Sequence, residues 1–135
     1  MKKIIPVVSI TALLAACGQS IANDPAALRG AEFTTDRNGV VIKLGFDADK
    51  MIAHGRVANS FTAPYTIDSG TIKFGVAAST MMMPFDPNVA KTESEFFKFI
   101  SGGQPMEYKL TAATLTLRDF AGAEYVFKKI IENKQ

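Results

Sequence analysis

At 135 residues, 47% hydrophobic and 21% charged, the chain is one domain with a real core, and it is too weakly charged to be a disordered tail. One cysteine and one histidine exclude an internal disulfide and a zinc site of the Cys/His kind. The formal charge of +2 raises nucleic acid and membrane surfaces as partners, and the order of the chain decides between them.

Met1, Lys2 and Lys3 make a short basic start, and residues 4–16 (IIPVVSITALLAA) are almost wholly apolar or small. As a helix they would span about 20 Å, short of the roughly 30 Å of hydrocarbon in a bilayer, so residues 1–16 read as a secretory signal peptide. Its end, Leu14, Ala15, Ala16 and Cys17, resembles the lipobox of bacterial lipoproteins. That resemblance implies cleavage between Ala16 and Cys17, diacylglycerol on the Cys17 sulfur and a further acyl group of the palmitate kind on the new amino terminus. Three acyl chains anchor a protein firmly where one does so only marginally. Gly18 replaces the aspartate that retains such proteins at the inner membrane, which implies an outer-membrane lipoprotein facing the periplasm or the surface. Lys2 and Lys3 leave with the signal, which holds no acid, so 13 basic and 13 acidic residues remain. The exported chain is neutral, and the electrostatic argument for nucleic acid goes with the signal.

Residues 17–27 are small and polar around one Asp-Pro and read as the lipidated cysteine and its tether; the domain is expected over 28–135. A first strand is expected at 28–33. Val40, Ile42, Leu44 and Phe46 alternate with Val41, Lys43 and Gly45, the period of a half-buried strand over 40–46. Strands at 51–57 and 59–67 follow. Pro64 in the latter calls for an edge, a bulge or a bend. Asp68, Ser69 and Gly70 form a tight turn into a strand at 71–75. Residues 76–85 (VAASTMMMPF) cross irregularly. Asp86 is then an N-cap with Pro87 in the first turn, so a helix is expected over 88–101, stopped by Gly102 and Gly103. Its stripe holds Val89, Glu93, Phe96 and Ile100, with Glu93 the odd member. Strands at 106–110, 114–118 and 124–131 complete the chain.

The fold class is therefore α+β but mostly β. It is a small antiparallel curled sheet or barrel of about eight strands, with one helix after the fifth strand, covering a barrel mouth or the sheet's open face.

Several motifs occur in a familiar order. They are residues 70–75 (GTIKFG), then Ala78, Ser79, Thr80, Met81, Met82 and Met83, a helix with Glu95 and Phe96, and Leu115, Thr116 and Leu117 before a turn. Upstream, residues 55–65 (GRVANSFTAPY) carry Asn59 and Tyr65. Together these resemble the META domain of HslJ-like bacterial lipoproteins over nearly the whole exported chain. The family-motif positions are Asn59, Tyr65, Ser79, Thr80 and Met82. Phe33 stands where the family often has tryptophan. Ala58 and, within one residue, Pro84 stand where many members have cysteines. The resemblance implies a small sheet or barrel with a helix and roles in envelope stress tolerance or secretion. It brings no enzymatic activity and no cofactor.

The residues agree with a protein that is not an enzyme. His54 has no second histidine or a cysteine inside the domain with which to build a triad or a metal cage. Asp47 and Asp49 flank a turn, and Glu93 and Glu95 lie near a helix start, both ordinary places for solvated acids. Ser79 and Thr80 have no neighbouring base and are expected to hold local backbone. Met81, Met82 and Met83 admit three readings: a soft-metal site, an adaptable apolar surface, or core packing of two of the three beside the helix. The last is preferred, and no metal site is expected. Ten phenylalanines are mostly core. A small barrel can still leave an apolar pocket at one mouth, for which Phe61, Phe74, Met82, Met83, Phe96 and Ile100 are the candidates.

The expected function is a non-enzymatic, lipid-anchored binding or scaffolding module, with an apolar ligand or an envelope protein as partner. The alternative is an inhibitor of a host or periplasmic hydrolase such as lysozyme, using residues 59–65 as an inhibitory loop.

Overall fold

The computed structural model describes residues 25–131. The expected signal, Ala16 and Cys17, and most of the tether lie outside them. A helical turn α1 (Pro25–Leu28) leads into β1 (Glu32–Arg37), β2 (Val40–Phe46), β3 (Ile52–Arg56), β4 (Ser60–Asp68), β5 (Thr71–Phe74) and the two-residue β6 (Ala78–Ser79). Helix α2 (Pro87–Ile100) follows, then β7 (Met106–Leu110), β8 (Thr114–Arg118) and β9 (Glu124–Lys129). Among the described residues no helix is long and apolar enough to cross a membrane.

All pairings are antiparallel, in the order β3-β2-β1-β9-β8-β7-β5-β4, and β3 also pairs with β4. That last pairing closes eight strands into a barrel, which removes the sheet edges. Sequence chemistry sets the corners. Asn38 and Gly39 both have positive φ, as do Ser69 and Gly70, the backbone of the two-residue hairpin turns that follow the twist of the strands.

Three boundaries differ from the sequence reading. The first strand runs over Glu32–Arg37, not 28–33. Leu28 ends α1 instead and is fully buried. The outward and rim residues Thr34, Thr35, Asp36 and Arg37 broke the apolar alternation, yet they pair in register with Val40–Lys43 of β2. Strand β9 stops at Lys129. The crossing at 76–85 contains β6, so the helix follows six strand segments. β5 and β6 lie on the same side of β4. Tyr65 opposes Phe74, whereas Phe61 opposes Ser79, one residue out of step. They are one run broken by a bulge, opposite Pro64, whose missing N–H leaves no donor there. Gly75 passes so close to Pro64 that a Cβ would sit 2.8 Å from its ring.

The barrel is filled, with Phe33, Phe46, Phe74 and Phe127 fully buried together with Ile42, Leu44, Ile72, Leu115 and Leu117. Helix α2 lies across one mouth, as its Phe96 ring meets Phe61 of β4 at 5.8 Å and Phe127 of β9 at 6.2 Å. Those strands stand on opposite sides of the ring of strands. At the other mouth the α1 turn is tied to the end of β2 by Gly30 N–H donating to the Phe46 carbonyl at 2.8 Å.

Candidate functional site

The hairpin turn joining β3 to β4 leaves amides without ladder partners, and such buried groups need another acceptor. Glu93, on the inner face of α2, supplies it. Its Oε2 accepts from Ala58 N–H at 3.0 Å and Asn59 N–H at 2.6 Å, and its Oε1 accepts from Asn59 Nδ2 at 3.0 Å. Glu93 is only 8% exposed, so it is not the solvated acid the sequence suggested. The signal was there, since a carboxylate on the apolar stripe of a helix needs a buried partner.

Asn59 continues the network outward. Its Nδ2 also donates to the Met82 carbonyl at 2.9 Å, and its Oδ1 accepts from Met82 N–H at 2.7 Å and Thr80 Oγ1 at 2.9 Å. Thr80 N–H donates to the Ser60 carbonyl at 3.0 Å. Thus Asn59, Thr80 and Met82, dispersed in the sequence, meet in one lock, and Ser79 stands beside them in β6. Tyr65 is elsewhere. It is buried at 2% exposure against Phe46 and Phe74, and among the described residues its hydroxyl finds no hydrogen-bond partner.

The lock fixes the backbone of the methionine segment and leaves its side chains outside. Met81, Met82 and Met83 are 91%, 61% and 84% exposed, and Phe85 is fully exposed. Two of the three methionines were expected in the core. Instead the barrel interior is already filled, and Met82 is held by both of its backbone polar groups at the surface. Between this ridge and α2 lies an open groove with a volume of about 660 Å³. Met81, Met82, Met83, Pro84, Ala90 and Phe97 give it apolar walls. Asn59 and Glu93 form its floor, and Ser94, Lys98 and Ser101 form a polar rail along the helix. Among the described residues, β5 meets β7 at only Thr71 and Ile72, and β6 pairs with β4 alone.

The apolar pocket expected at the mouth is therefore placed differently. Met82 and Met83 line the groove, whereas Phe61, Phe74, Phe96 and Ile100 are core side chains. Phe96 fills the mouth that a hollow barrel would have left open. Residues 59–65 do not form a projecting loop. They lie in and beside β4, with Asn59, Phe61, Ala63 and Tyr65 buried, which leaves the inhibitor reading without its loop. His54 stands on the barrel exterior over Gly45, where an added Cβ would meet its ring at 2.6 Å. Asp47 caps the β2–β3 turn, and the amides of Lys50 and Asp49 hold its carboxyl below the ordinary carboxylate value. Among the described residues no three His, Cys, Asp or Glu side chains gather as a metal cluster.

A family model described as META domain matches residues 25–131. The chain is also similar to a protein solved by NMR, with 22% identity, a TM-score of 0.63, and coverage of 78% of this chain and 93% of that one. A second NMR structure, of a protein from Burkholderia xenovorans, has 17% identity, a TM-score of 0.64, and coverage of 81% and 90% respectively. At these identities the likeness is one of fold. No curated protein matches the chain.

Proposed function

The chain belongs to the META domain family, and from that premise we propose a non-enzymatic binding module of the bacterial envelope. It is anchored through lipid on Cys17 at the outer membrane, and it takes an apolar ligand in the groove beside α2. The observation that carries this reading is the methionine ridge. Soluble domains seldom hold a run of large apolar side chains in water, and such a patch marks an interaction site. Here the run is fixed by Asn59 through both polar groups of the Met82 backbone, so the surface is preformed. Methionine suits it, because an unbranched thioether repacks around ligands of varied shape. A non-catalytic role agrees with the lining. Glu93 is committed to the hairpin amides, and no histidine borders the groove.

The exported protein carrying Cys17→Ser should leave the membrane fraction. Native mass spectrometry of it should then show an apolar adduct that is lost when Met81 and Met83 become glutamine. Retention on membranes of chains whose mass shows residues 1–16 removed takes away the anchor, and a clean unliganded mass removes the groove as a ligand site.

A further inference from the structure

The two walls of the groove differ in chemistry. One wall is methionine and proline without a charge. The other is one face of α2, on which Ser94, Lys98 and Ser101 recur at the spacing that stacks side chains on a helix. Within this lining Glu93 is turned inward, with its oxygens accepting from Ala58 and Asn59. Among the described residues, Lys98 is therefore the one charge the groove offers to an occupant. Lys91 and Glu95, the neighbouring charges on the helix, do not line it. A cation flanked by two hydroxyls at the rim of an apolar trough complements one ligand chemistry: a long apolar chain ending in an anion.

Resting on the groove reading above, we propose that the occupant is a single-chain anionic amphiphile of the fatty-acid class. Its tail lies along Met81, Met82 and Met83 against Phe97, and its carboxylate sits at Lys98, within reach of the Ser94 and Ser101 hydroxyls. A volume of about 660 Å³ falls inside the roughly 300–1,000 Å³ of small-ligand sites. The trough is open along its length, which suits an extended chain better than a compact ring system. The charge fixes polarity and selectivity, because a neutral chain of equal length meets the same apolar wall but leaves the lysine unpaired.

The test uses the exported protein carrying Cys17→Ser, so that no covalent acyl group competes, with carbon-13 in its methionine methyls. Met51 and Met106 lie away from the groove and serve as internal controls. Dodecanoate, dodecanol and dodecyltrimethylammonium are titrated below their micelle concentrations. Dodecanoate should shift the Met81, Met82 and Met83 methyl signals and spare the other two. It should bind about three- to tenfold more tightly than the alcohol, the scale of one exposed charge-assisted contact, and the cationic chain should bind most weakly. Lys98→Gln should remove the preference for the anion, and Lys98→Glu should reverse it; Lys98 is exposed, so the fold is kept in both variants. Equal binding of the three probes, or a preference unchanged by Lys98→Gln, overturns the anionic assignment and leaves an apolar groove standing. Silence of the three methyls toward every probe overturns the groove itself. Shifts that follow protein concentration and not probe concentration overturn both in favour of a second copy as occupant.

Discussion

The two mouths of the barrel are closed by different chemistry. At one, the α1 turn brings in Leu28 and is held by plain backbone bonds at the end of β2. At the other, Phe96 seals the interior, but beside it lie a buried carboxylate, a buried amide and a ridge of exposed methionines. Apolar plugs suffice to close a barrel, so the extra apparatus at the second mouth is not needed for closure. Burying a carboxylate costs stability unless it is well paired, and exposed methionine gains none. What these features do at that mouth is fix a surface.

The comparison can be broken most sharply through the plugs. Leu28→Ala and Phe96→Ala should each destabilise the domain by about 3–5 kcal/mol, read as a lower urea midpoint. If the two mouths are alike in packing, these losses are similar. A Phe96→Ala loss under about 1 kcal/mol would mean that α2 is an accessory and not a lid.

Next in size is the lock. Glu93→Ala leaves the Ala58 and Asn59 amides without their acceptor and should cost about 1–3 kcal/mol. It should also speed hydrogen exchange at Thr80 and Met82 before it affects β8 and β9. Uniform loss of protection across the barrel would deny the lock its local role.

A smaller effect, of opposite sign, is expected where polarity is buried to no purpose. The Tyr65 and Thr92 hydroxyls have no hydrogen-bond partner among the described residues. Tyr65→Phe and Thr92→Val should therefore be neutral or stabilising by up to about 1 kcal/mol. The tyrosines also set an alkaline limit. Burial raises the Tyr65 and Tyr125 hydroxyls above their ordinary value of 10.0. Their folded-state pKa exceeds the unfolded one, so the neutral form favoured by folding contributes fully below about pH 10, and stability falls as pH climbs beyond it. Tyr65→Phe should flatten part of that decline in an alkaline denaturation series.

Smallest of all, Met81→Gln and Met83→Gln should move stability by no more than about 0.5 kcal/mol. A large loss would mean that the ridge packs in solution and is not free to bind.

Much of the barrel was legible because period-two alternation survives wherever one face is buried. β2 and β4 showed it plainly, and Asp86, Pro87 and the two glycines after Ser101 framed α2 within a residue. The alternation failed at β1, where Thr34 to Arg37 run out to the rim and partners, not hydrophobicity, hold them in the sheet. The site was legible in its parts and hidden in its geometry. Asn59, Ser79, Thr80 and Met82 were singled out, but Glu93 was read as a solvated acid, because its acceptor role exists only once a hairpin 34 residues away is folded beneath it. Two of the three methionines were expected in the core beside the helix. Seven of the ten phenylalanines are buried and had already filled much of that space, which a sequence does not count by volume.

Finally, the chain enters the barrel at the mouth remote from the groove. The methionine ridge lies at the far mouth, one stave away, roughly 15–20 Å for five or six strand residues, so a lipid on Cys17, as proposed, would join the domain at the end opposite its groove. With the anchor proposed there, the proposed amphiphile would enter the groove from the aqueous side, as dissolved monomers. The rate of loading should accordingly rise with the free concentration of the amphiphile.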